Sequence, residues 1–288
     1  MELGLYLKER REWIDAALDA RLPSAGERPE TLHRAMRHSI FAGGKRLRPI
    51  LCLAAAEACG AEPKLALDLG VALECLHTYT LIHDDLPCMD DDDFRRGHPT
   101  CHKVFGEGIA VLAGDALQAL AFEICGEQED GGIFVRELAV TSGSRHLVGG
   151  QVLDLEGEAK QLSLEELRFV HLSKTAALLT TSVRFGGRAA GASEAQLQAL
   201  TRFGEAAGLA FQVIDDILDV TQTTEKLGKS AGKDVHSSKS TYPALIGLDA
   251  SREEAHRLTR EALESLAIFG EAGTPLRALG NYLLERDY

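Results

Sequence analysis

GLAFQVIDDILDV, residues Gly208–Val220, is the stretch on which the fold turns. Its apolar residues occupy nearly every side of a 3.6-residue turn, and a helix apolar almost all round belongs in the middle of a bundle. Asp215, Asp216 and Asp219 interrupt that surface. A spacing of four advances about 400°, so Asp215 and Asp219 share a face. Carboxylates on such a helix are costly to bury unpaired, so a cationic partner is expected against them.

The same helical period extends outward through most of the chain. It is clear in TLHRAMRHSIFAGG (31–44), where Leu32, Ala35, Met36, Ile40 and Phe41 fall on one stripe before a glycine stop. It recurs over 50–59, 64–85, 109–125, 132–149, 164–171, 174–190, 193–219, 241–248, 252–269 and 275–285. No run alternates apolar and polar residues between hairpin turns, so the expectation is an all-α helical bundle. Residues 22–30 read as a connection between the first two helices. Thr221–Ser240, with four lysines, reads as a long functional loop or lid.

A second acidic stretch, HDDLPCMDDDDFRRG, spans His83–Gly97, with six aspartates among the ten residues Asp84–Asp93. Pro87 cannot continue an ideal helix, and a bend there can return Asp90 toward Asp84 and Asp85. Carboxylates with no histidine or thiolate at ligand spacing suit a hard cation, and Mg²⁺ typically completes its shell with phosphate oxygens. A calcium EF-hand fails, because Phe94 and Arg95 fall where a ligand and a glycine are required. Basic groups complete the pattern: Lys45, Arg46 and Arg48 follow Gly43-Gly44, Arg95-Arg96 follow the aspartates, and Lys174, Lys229 and Lys239 lie near or after the other acidic stretch. Backbone amides and cations together can grip phosphate. With no GxxxxGK[ST] and no strand-borne GxGxxG, a diphosphate other than a nucleotide is favoured.

Composition narrows the classes further. The chain has 288 residues, 45% of them hydrophobic, and a net charge of −13 that argues against nucleic-acid binding. Cysteines 52, 59, 75, 88, 101 and 125 show no CxxC spacing and suit reduced thiols. MELGLYLKERREW lacks the apolar core of a secretion signal, and the most apolar run, 109–125, is interrupted by Asp115 and Gln118. A soluble, cytoplasmic protein without a membrane span is expected.

GGKRLRP (43–49), HTYTLIHDDLPCMDDDDFRRG (77–97), GDAL (114–117), Lys174-Thr175, GLAFQVIDDILD (208–219), GKSAGKD (228–234) and KSTYPAL (239–245) together resemble the trans-isoprenyl diphosphate synthases, most closely the bacterial farnesyl diphosphate synthases. The resemblance spans almost the whole chain. It implies one domain over 1–288 with the isoprenoid synthase fold, a single helical bundle around a deep central cavity, and a homodimer. It further implies three Mg²⁺ ions on the allylic diphosphate, with Asp84, Asp90 and Asp215 as principal ligands and Asp85, Asp216 and Asp219 in support. Arg95, Lys174 and Lys229 are implied to hold that diphosphate, and Gly44, Lys45, Arg48, His77 and Arg96 to hold isopentenyl diphosphate. Thr175 and Gln212, with Lys174 and Lys239, match groups facing the allylic cation. Arg286 matches a closing cation, although the LLERDY tail departs from the family's more basic ending. Gly149, Gly150, Gln151 and Asp154 match helix-packing positions.

In this family the residues just before the first aspartate motif floor the chain pocket, here Tyr79 and Thr80. Thr80 lies one turn below Asp84 on its face, with the Tyr79 ring beside it. Each isoprene unit needs roughly one turn of depth, ~5 Å, so one ring can stop growth. The pattern resembles a C15 synthase, with LPCMD and CHKVFGE favouring C20 as the alternative; a non-catalytic subunit of the same fold is a third reading. A phosphohydrolase built on His83-Asp84 would leave the basic motifs unexplained, and a terpene cyclase would lack the 43–49 site. His83 reads as a packed core histidine.

Overall fold

The computed structural model describes residues 1–157, 160–221 and 240–284. The expected Lys229, Lys239 and Arg286 lie outside the described residues. In chain order the helices are α1 (Leu3–Arg21), α2 (Glu30–Ile40), α3 (Leu47–Ala58), α4 (Leu67–Asp84), α5 (Cys101–Phe105), α6 (Glu107–Gly126), α7 (Gly131–Ser142), α8 (Leu147–Gly157), α9 (Leu164–His171), α10 (Ala177–Ala189), α11 (Glu194–Thr221), α12 (Tyr242–Ile246), α13 (Leu248–Ser265) and α14 (Thr274–Leu284). Short 3₁₀ segments span Pro63–Ala66 and Leu266–Gly273, and a π turn, Leu172–Ala176, joins α9 to α10.

The all-α reading holds, with three local differences. The stretch 132–149 is two helices that break over 143–146. The helix expected to begin at 174 starts instead as the π turn. Among the described residues two strands exist, β1 (Phe94–Arg95) and β2 (His98–Pro99), paired antiparallel in register Phe94↔Pro99 and Arg95↔His98. Their two-residue loop, Arg96-Gly97, has positive φ at both positions (+54° and +81°), the backbone that tight hairpins require. A strand of two residues carries no alternation for a sequence pattern to detect.

The contacts group the described residues into two compact units, 2–53 with 64–135, and 1 and 54–63 with 136–284. In the first unit α4 packs along α6. Both helices are long and apolar enough by composition to cross a membrane. In α4, 67% of the most apolar window is buried within the protein, and in α6 39%. The buried side of α4 includes Leu69, Leu73, Leu76, Tyr79 and Ile82. It also carries Glu74, buried and met by Arg46 Nη1 at 2.9 Å; Arg46 Nε reaches Asp15 at 2.8 Å, and Nη2 donates to the Ile40 carbonyl at 2.7 Å.

In the second unit α11 packs against α10, α13 and the π turn. Gly208 permits a close approach: a methyl group there would stand 2.5 Å from Cα of Ala176, so only a bare backbone fits. Gln212, one turn farther on, therefore shares the side of α11 that packs on Leu172–Ala176.

The Arg46–Glu74 pair generates a stability prediction. Glu74→Ala strands a buried guanidinium and should cost about 3–5 kcal/mol in urea unfolding. Asp15→Ala, at a side chain 42% exposed, should cost under about 1 kcal/mol. Equal small losses would show that the buried pair does not anchor α4.

Candidate active site

The first unit builds its polar group at the end of α4. Beyond Asp84 the chain folds back on itself. Leu86 N–H donates to His83 O at 3.2 Å, Met89 N–H to Leu86 O at 2.9 Å, and Asp90 N–H to Asp84 O at 2.8 Å. The bend at Pro87 thus returns Asp90 to the end of the helix, as its sequence position suggested. Asp84 is half-buried, Asp85 buried and Asp90 exposed. Burial pushes the Asp85 carboxyl upward, and Arg95 pulls it back. Arg95 reaches Asp85 Oδ1 through both Nε (2.7 Å) and Nη2 (2.6 Å), so these two expected site residues hold each other.

The glycine-rich turn before α3 separates its three cations. Gly43 and Gly44 have φ of +94° and +135°. The Arg96 guanidinium donates to Gly43 O and lies against Gly44, where a Cβ would collide with it. Arg48 Nη1 donates to His77 Nε2 at 3.1 Å, and Arg48 Nε is buried with no partner among the described residues. Burial, then the Arg48 and Arg96 charges, holds His77 well below its ordinary value, so the ring is neutral and accepts from Arg48. Burial also brings the Arg48 guanidinium down to about 10. Lys45 is exposed. Arg46 corrects the sequence reading: with φ +51° its side chain turns inward to Glu74 and Asp15, and it is not available to an anion. Gly44, Arg48, His77 and Arg96 are therefore brought together as expected.

Tyr79 is buried, its ring edge-to-face with His83 at 5.3 Å between centroids. His83 Nε2 lies 3.0 Å from Val111 O, which fits the packing role expected of it. Thr80 is half-buried and spends its hydroxyl on His77 O at 2.7 Å.

The second unit builds its group where α11 ends. Asp215 and Gln212 are half-buried, and Asp216 and Asp219 are buried. Asp216 Oδ2 accepts from Tyr242 N–H at 2.9 Å and faces His171 Nε2 at 3.3 Å, while the His171 ring stacks on Tyr242 at 5.8 Å. Asp219 Oδ2 is buried with no hydrogen-bond partner among the described residues. Lys174 and Thr175 sit in the π turn, both half-buried, and Lys174 Nζ pairs with Asp154 Oδ2 at 2.7 Å. The packing role expected of Gly150 is seen against Ser173 and Lys174, but Asp154 is a charge partner. Sequence reading also missed His171 and Tyr242. Their signal is long-range pairing, 45 and 26 residues along the chain respectively.

The donor set tests the expected cation. In the first unit Asp84 and Asp90 offer only oxygen; in the second, Asp215 and Asp219 do the same, with Asp219 Oδ2 lacking a partner among the described residues, so each group by itself fits a hard divalent ion such as Mg²⁺. The buried Arg48 Nε, a donor with no partner among the described residues, suits a phosphate group.

Comparison with known proteins agrees. The polyprenyl synthetase family pattern matches residues 29–267. A geranylgeranyl pyrophosphate synthase from Catharanthus roseus is 51% identical over 90% of this chain and 75% of its own length. A dimethylallyltranstransferase from Fischerella ambigua is 48% identical over 98% and 83%. The crystal structure of an FPP/GFPP synthase from Zymomonas mobilis superposes with a TM-score of 0.88 at 35% identity, covering 98% of each chain. The chain has the all-α isoprenoid synthase fold and belongs to the polyprenyl synthetase family.

Proposed function

We propose that this prenyltransferase condenses isopentenyl diphosphate with dimethylallyl and then geranyl diphosphate, releasing farnesyl diphosphate and inorganic diphosphate. The observation that supports C15 is Tyr79, a large buried ring five residues before Asp84, braced by His83. A second reading, C20, is favoured by relatives such as the Catharanthus roseus protein. A homodimer is proposed on α6, an apolar helix that leaves Val111 and Leu112 exposed. Cytoplasmic location stays a proposal from composition.

In this account Asp84 and Asp90, and separately Asp215, Asp216 and Asp219, present oxygen ligands to the metal ions that accompany the allylic diphosphate. Magnesium, when bound, neutralises the diphosphate and makes it a better leaving group. Arg48 donates to the isopentenyl diphosphate, with Lys45 and Arg96 adding charge. His77 is held neutral, so it can accept from Arg48 and orient the guanidinium. Lys174, paired to Asp154 in the free protein, is positioned to exchange that carboxylate for a phosphate oxygen. The allylic C–O bond breaks with the electron pair leaving on diphosphate, the isopentenyl double bond attacks the cation, and a proton passes to the released diphosphate. The packed side chains around Tyr79 keep water from the growing chain.

Three outcomes check the reading. Labelled isopentenyl diphosphate with dimethylallyl diphosphate and Mg²⁺ should give farnesol after dephosphorylation, and Tyr79→Ala should lengthen the product to C20 or beyond; an unchanged length removes Tyr79 as the floor. Asp84→Ala should lower turnover at least about a hundredfold, and a near-normal rate sinks the metal assignment. The His77 shift predicts acid sensitivity. Because its folded value lies below the ordinary 6.5, the unfolded chain binds the extra proton first as pH falls, and stability drops below about pH 6.5. His77→Gln should lose less stability than wild type between pH 7.5 and pH 5 in urea titrations; equal losses contradict the assignment.

A further inference from the structure

A cluster outside the groups described above joins the acidic loop to the first turn of α5. Asp91, Asp93 and His102 each place a ligand atom within 4.8 Å of the others. The two carboxylates are exposed, but the imidazole is buried at 7% exposure, and its Nε2 has no hydrogen-bond partner among the described residues. Thr100 sets the tautomer. Its hydroxyl donates its single proton to Asp92 O at 2.9 Å, so toward His102 Nδ1, 3.2 Å away, it serves as acceptor. Nδ1 then carries the ring proton, and Nε2 keeps its lone pair. A hydrogen-bonded Nδ1–H behind a free Nε2 is the arrangement in which histidine ligates metals.

We propose that Asp91, Asp93 and His102 Nε2 form a binding site for a divalent transition ion such as Zn²⁺, separate from the all-oxygen carboxylates Asp84 and Asp90. Two carboxylates with one imidazole select a borderline ion over Mg²⁺. Lys103 Nζ, 2.6 Å from Asp93 Oδ1, competes for one of these ligands, and the second carboxylate oxygen of Asp93 is left to the metal. The positive φ of Asp91 (+49°) is a backbone cost that aims its side chain. An ion here would tie residues 91–93 to α5 across the base of the β1–β2 hairpin, which carries Arg95 and Arg96. It would thereby hold the two arginines that meet Asp85 and Gly43.

The test is Zn²⁺ binding to the full chain, without diphosphate, by competition against a chromophoric chelator. Wild type and Asp84→Asn should each bind one tight equivalent, while His102→Gln and Asp93→Asn should bind at least about tenfold more weakly. Asp93 has a side chain 59% exposed, so its variant folds even where loss of the buried ring does not. No stoichiometric binding by wild type, or weakening in Asp84→Asn with none in Asp93→Asn, overturns the proposal.

Discussion

The structure depends on placing carboxylates at the ends of helices that are otherwise apolar. A carboxylate removed from water is tolerated only with a charge or donors against it. Each buried acid shows a different solution. Glu74 is answered by Arg46, deep in the first unit. Asp85 is answered by Arg95, which arrives on a hairpin ten residues along the chain. Asp216 is answered by a backbone N–H and a histidine. Asp219 keeps one buried oxygen with no partner among the described residues, where the proposed function places a metal ion. The same electrostatic problem is thus solved by protein groups at three positions, and at the fourth no described group solves it.

The internal solutions also position the chemistry. Tyr242 follows directly on the lysine-containing stretch after α11, and its N–H is bound to Asp216, so one carboxylate of the acidic motif fastens the chain where α12 begins. Lys174 is held by Asp154 on a π turn, a local widening of the helix that often accompanies functional sites. Arg96 lies against Gly44, a position open to it because glycine has no side chain. Lys174 and Arg96, two cations expected to meet an anion, are thus each already held by an oxygen of the protein.

Much of this was readable beforehand, for definite reasons. Helices such as Glu30–Ile40 and Glu194–Thr221 announce themselves through repeated apolar stripes, and the return of Asp90 to Asp84 follows from Pro87. What stayed hidden depends on contacts far apart in sequence or on single dihedral angles. Lys45, Arg46 and Arg48 are alike as letters, and the positive φ of Arg46 is what buries it. The break at 143–146 carries no proline and only one glycine, which a continuous helix would tolerate, and the β1–β2 pair is too short to leave a pattern. The partners of Asp216 and Lys174 belong to other helices, which no local spacing reveals.

The most direct test follows the thermal stability of Asp219→Asn. Without metal the variant replaces a buried carboxylate whose Oδ2 has no partner among the described residues, so it should melt above wild type. With Mg²⁺ and an unreactive allylic diphosphate analogue it removes a ligand, so it should gain less from the additions and melt below wild type. A reversal of sign between the two conditions is the predicted result; a variant that is destabilised equally in both would contradict the claim that Asp219 awaits a metal.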